Sequence, residues 1–122
     1  MRPDALTSLN REIIMAKFRL VSAATTNATL VSSRACRVRS VKVSNSNVAA
    51  RYLKLYDLTV APTVGTSVPE ETILVPAGQT VVVNEMPDLN PFSLGLSLAM
   101  TTGQADSDVA AVAANEMVVQ IR

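Results

Sequence analysis

The chain has 122 residues, one domain's length, of which 48 % are apolar and 17 % charged. Eleven basic residues face ten acidic ones for a net charge of +1, which leaves no basic excess to neutralise phosphates and argues against a nucleic-acid partner. Histidine is absent and Cys36 is the single cysteine, so the commonest general base, imidazole metal ligands and thiolate metal cages are all missing, as is any internal disulfide.

Residues 1–12 are polar, carry Pro3 and keep a poor apolar spacing; they are expected to be an N-terminal arm, disordered alone or ordered against a neighbour, with Arg2, Leu6 and Leu9 as its contact residues. The remainder, 13–122, reads as a single β domain. Lys17 to Val21 alternates, Ala28 to Ser32 forms a second short strand, and Arg34 to Ser44 a longer one. In that third strand Cys36 and Val38 fall in one phase and Val41 and Val43 in the other, so a bulge is expected near Arg39-Ser40. Arg34, Arg37, Arg39 and Lys42 cluster there and read as a solvated face. Cys36 reads as a small, buried, inert thiol.

Ala50 to Leu58 carries the phrase RYLKLYD. Leu53 and Leu55 are the better core pair, which turns Tyr52, Lys54 and Tyr56 to the opposite face. Those three are either an interface, because tyrosine buries area while keeping a polar tip, or they are covered by another segment of the same chain. Residues 61–69, with Pro62, Gly65 and Pro69, form a long loop that suits a crossover between sheets. Glu71 to Val75 and Thr80 to Val83 are further strands around a Pro76–Gln79 turn, and Met86 to Phe92 is a loop. In the next strand Leu94, Leu96, Leu98 and Met100 alternate with Gly95, Ser97, Ala99 and Thr101, giving one heavy face and one bare one. Ala110 to Asn115 is irregular, with room for one helical turn, and Glu116 to Ile121 closes the chain.

About eight short strands without a sustained helical period predict an all-β fold. The expected architecture is an antiparallel β-sandwich, jelly-roll-like, with an immunoglobulin-type sandwich as the alternative. No stretch approaches the ~20 apolar residues of a membrane span, and the apolar run at Ile13 is cut short by Lys17 and Arg19. Nucleotide-binding and nucleophile motifs are absent. Asp106 and Asp108, weighed with Asn115 or Glu116 as ligands for a cation such as Ca²⁺, are read more readily as turn caps. The expectation is therefore a non-enzyme without a cofactor.

The phrases VKVSNSNVAARYLKLYD (41–57), VPAGQTVVV (75–83), PFSLGLSLAMTT (91–102) and DSDVAAVAANEMVV (106–119) together resemble small proteins of tailed bacteriophages. The resemblance implies a structural virion component of β-sandwich type. Its expected role is a capsid decoration or cement protein that binds the major capsid protein on the head surface, after assembly in the bacterial cytoplasm. It would act as a homo-oligomer, most simply a trimer. The alternative is a tail or fibre accessory module that binds a host glycan or another virion protein, with Tyr52 and Tyr56 as its paired aromatics.

Overall fold

A computed structural model describes residues 16–84 and 92–122. The arm at 1–12, with Arg2, Leu6 and Leu9, lies outside them, as does most of the Met86 to Phe92 loop. The described chain forms eight strands: β1 (Phe18–Val21), β2 (Thr29–Ser32), β3 (Ser40–Asn45), β4 (Arg51–Tyr56), β5 (Glu71–Val75), β6 (Thr80–Asn84), β7 (Leu96–Thr101) and β8 (Met117–Ile121). They assemble into two four-stranded sheets ordered β1-β8-β3-β6 and β2-β7-β4-β5, and every pairing is antiparallel. The expected β-sandwich is the fold.

The alternating residues explain the core. Val41 and Val43 of β3 and Val119 and Ile121 of β8 face Leu53 and Leu55 of β4, Ile73 and Val75 of β5, and Leu96, Leu98 and Met100 of β7 in one buried cluster. With only two Phe, two Tyr and no Trp in the chain, this core is filled chiefly by aliphatic side chains, with Phe92 buried among them. A buried leucine or valine contributes roughly 1.5–3 kcal/mol.

The phase slip in the third strand is absorbed where the sequence requires it. The amides of Arg39 and Ser40 both donate to the Arg122 carbonyl, at 2.7 and 2.9 Å. Two residues thus oppose one, and Val38 and Val41 both turn inward. Cys36 is fully buried and unpaired; burial pushes its thiol up from the ordinary value, which suppresses the reactive thiolate. Arg34, Arg37, Arg39 and Lys42 are all exposed.

Two expectations need correction. Residues 57–70 do not cross between sheets: β4 and β5 are neighbours in one sheet, while the other six connections change sheet. The hairpin needs far fewer residues than this loop contains, and the surplus reaches the connection between β7 and β8, where Gly65 meets Val109. Residues 110–115 form no helical turn; Asn115 adopts φ 60° in a tight turn into β8.

Candidate interaction surfaces

The sequence placed Tyr52, Lys54 and Tyr56 on the face of β4 away from Leu53 and Leu55, and they lie there. Their exposure is another matter. Lys54 and Tyr56 have none, and Tyr52 is half-buried. Of the two readings left open, cover by the chain itself is what the structure contains. The register explains how long side chains fit: Tyr52 pairs with Thr101, Lys54 with Ala99 and Tyr56 with Ser97. The small face of β7 thus leaves room for the large face of β4.

The cover comes chiefly from the β7–β8 connection. The Lys54 ammonium donates to the Ala105 carbonyl at 2.6 Å, Thr101 Oγ1 donates to the Gly103 carbonyl, and the Thr102 amide reaches the Ala110 carbonyl. The β4–β5 loop meets this strap at Gly65, where a β-carbon would stand 2.6 Å from Val109 Cγ1. Burial pulls the Lys54 pKa below its ordinary value, against the opposing charges of Asp108 and Asp106. Burial also pushes the Tyr56 phenol up, and the negative Asp106 adds to the shift. The Tyr56 and Ser97 hydroxyls are buried without a hydrogen-bond partner among the described residues.

One end of the sandwich is tied by a polar network that the sequence did not disclose. Ser22 Oγ accepts from the amides of Glu116 and Met117 and donates to the Ala113 carbonyl. The Glu116 carboxylate takes Arg51 Nε at 2.7 Å, with the two side chains 4 % and 16 % exposed, and also accepts from Asn47 and the Ala113 amide. Burial alone would raise the Glu116 pKa, but the hydrogen bonds from Arg51, Ala113 and Asn47 together with Arg51's charge outweigh it and hold the carboxyl below its ordinary value. Asn45 Nδ2 bridges the sheets through the carbonyls of Ala49 and Val75. These partners lie up to 95 residues apart, beyond the reach of local pattern reading. At the other end Asp57 accepts from the amides of Leu94 and Gly95.

The carboxylates weighed as cation ligands do not converge. Asp108 caps the Ala110 amide at 2.9 Å, Glu116 is held by Arg51, and among the described residues no three His, Cys, Asp or Glu side chains gather as a metal site.

Among the described residues, no segment covers the outer face of the other sheet. Arg19, Gln120, Lys42 and Val82 form one row across β1, β8, β3 and β6, and Val21, Val118, Ser44 and Thr80 form the next. Two shallow grooves of about 380 and 290 Å³ share Gln120; the first is lined also by Lys17, Arg19 and Arg122, the second by Lys42, Ser44, Thr80 and Val118. None of this sheet's four strands contains a carboxylate. Among the described residues, charge is therefore distributed unevenly between the two sheets. Cations gather on the first sheet, whereas Glu70, Glu71, Asp106 and Asp108 belong to the second sheet and its cover.

No protein family, no curated protein and no solved structure matches the chain. Its function must be argued from these surfaces.

Proposed function

We propose that this chain is a structural component of a tailed-bacteriophage virion, a decoration or cement protein that binds the major capsid protein on the head and works by adhesion, without catalysis. The strand order β1-β8-β3-β6 and β2-β7-β4-β5 supports the jelly-roll reading, a two-sheet design of eight strands common in shell proteins. Fold alone does not assign function. The observation that carries the proposal is the asymmetry of the sandwich. One outer face is wrapped by the chain's own loops, and the other, uncovered among the described residues, carries cations beside the exposed Val82, a surface suited to adhesive contact between subunits.

Such a clip raises the stability of a filled shell by mass action, logarithmically in free clip concentration over Kd. Several feet on one homo-oligomer, a trimer at a local threefold in the simplest case, multiply a weak contact by avidity. The glycan-binding alternative loses its paired aromatic platform, because Tyr56 has no exposed surface. Gold-labelling the chain on intact particles tests the proposal. Many copies spread over the head are expected; a few copies confined to the tail would favour the accessory-module role, and absence from particles would overturn both.

A further inference from the structure

We infer that the basic grooves on the outer face of β1, β8 and β3 receive the Asp106–Val109 strap of a second copy of this chain, so that copies join head to tail. The two surfaces are complementary in charge and in apolar character. The grooves are walled by Lys17, Arg19, Lys42 and Arg122 and have Val118 beside them, with Val82 next to Lys42 at 53 % exposure. The strap presents Asp106 and then Val109, which is 62 % exposed although it belongs to the cover. A carboxylate with a neighbouring branched apolar side chain matches a cationic groove with a valine floor. Asp108 caps Ala110 and is half-buried; Asp106, although its charge also acts on Lys54 beneath the strap, is exposed to a partner.

The two surfaces lie on opposite sheets, so the contact is heterologous: it closes into a ring or runs on as a filament. Exposed ion pairs are individually weak, which makes the contact salt-sensitive and dependent on repetition. This deepens the adhesive reading by naming the surface through which copies meet. Its test contains no virion, so it fails or holds separately from that reading.

Sedimentation of the full chain at low and high salt is the measurement. Concentration-dependent association is expected at low ionic strength and should be lost at roughly 1 M salt, where screening is nearly complete. Asp106→Asn should weaken association about fivefold, the size of one exposed pair. Lys42→Glu alone and Asp106→Lys alone should not self-associate, because each meets its own like charge. Mixed, they should associate with each other, since the acidic groove of one accepts the basic strap of the other. Thermal melts of the variants separate this outcome from misfolding. A wild-type chain that stays monomeric at low salt would overturn the inference. So would a mixture that does not associate, or a groove that binds a short DNA duplex through Lys42 while Asp106→Lys changes nothing.

Discussion

Val41-Lys42-Val43 at the centre of one sheet and Leu53-Lys54-Leu55 at the centre of the other are the same local pattern: apolar, lysine, apolar. Lys42 is exposed and Lys54 has no accessible surface. Strand alternation decides which face a side chain takes, and in both strands it does so correctly. Solvent is decided by what the connections do afterwards. Lys42 stands exposed among Gln120 and Val82, with no segment above it among the described residues, whereas Lys54 lies under the β7–β8 strap and donates to Ala105. The comparison teaches that the outer face of a sandwich is a property of loop length as much as of strand sequence.

The wrapped sheet should break first at Gly95, just before β7. A β-carbon there would stand 2.4 Å from the Leu58 carbonyl oxygen and 2.7 Å from that of Ser32. Both obstacles are backbone, so neither swings aside. Gly95→Ala should cost about 3 kcal/mol and lower the melting temperature by on the order of 10 °C. A melt within a degree or two of wild type would mean that the two strand ends are looser than the close approach requires. No position on the open sheet's outer face carries a comparable sensitivity, because substitutions there meet solvent.

Glu116→Gln comes next. The amide keeps the shape but removes the charge that Arg51 and Asn47 address, and about 1.5–3 kcal/mol should be lost at neutral pH. The pH dependence follows from the depressed folded-state carboxyl. Above the ordinary value of 4.5 the carboxylate is ionised folded or unfolded, and its contribution is complete. As pH falls below that value the unfolded chain takes up the proton first, and the contribution is gone once pH has passed the folded value. Urea melts between neutral pH and about pH 3 should therefore show wild type and variant converging as acid is added. A gap that stays constant would assign the acid sensitivity to other carboxylates.

How much of this was legible in advance follows from the range of each interaction. The strands announced themselves through alternation at Val41/Val43, Leu53/Leu55 and Leu96/Leu98/Met100, and the bulge through a phase slip between Val38 and Val41. Those are period-2 signals within a few residues of one another. The wrapping of β4 was legible only by halves. The bare face of Ser97 and Ala99 was visible, but that it makes room for Lys54 and Tyr56 depends on β7 being β4's neighbour, which is tertiary information. The long loop at 61–69 was visible too, and its length was assigned to a crossover when it serves as cover. The Ser22–Glu116 network had no local signal, since it joins residues 94 apart.

The smallest expected effect lies beneath the strap, and its sign is the informative part. Tyr56 and Ser97 are paired in register, and each buries a hydroxyl that has no partner among the described residues. Left unmade, such bonds carry a desolvation penalty, whereas their removal is close to neutral or favourable. Tyr56→Phe and Ser97→Ala should each leave stability unchanged or raise it by up to about 1 kcal/mol. The double variant should be the sum of the two, because the hydroxyls are not bonded to each other. A loss above about 1 kcal/mol in either would place a bound water or another partner under the cover. Non-additivity would mean that the two hydroxyls meet. Burial also makes Tyr56 a reporter. Its raised phenol keeps the proton in the folded chain beyond the ordinary value of 10.0, so as pH rises through that value the unfolded chain ionises first and stability falls. In a Tyr52→Phe background, phenolate absorbance should appear only together with unfolding. Its appearance in the still-folded chain would show that the strap lifts from β4, and with it the distinction between the wrapped sheet and the open one would disappear.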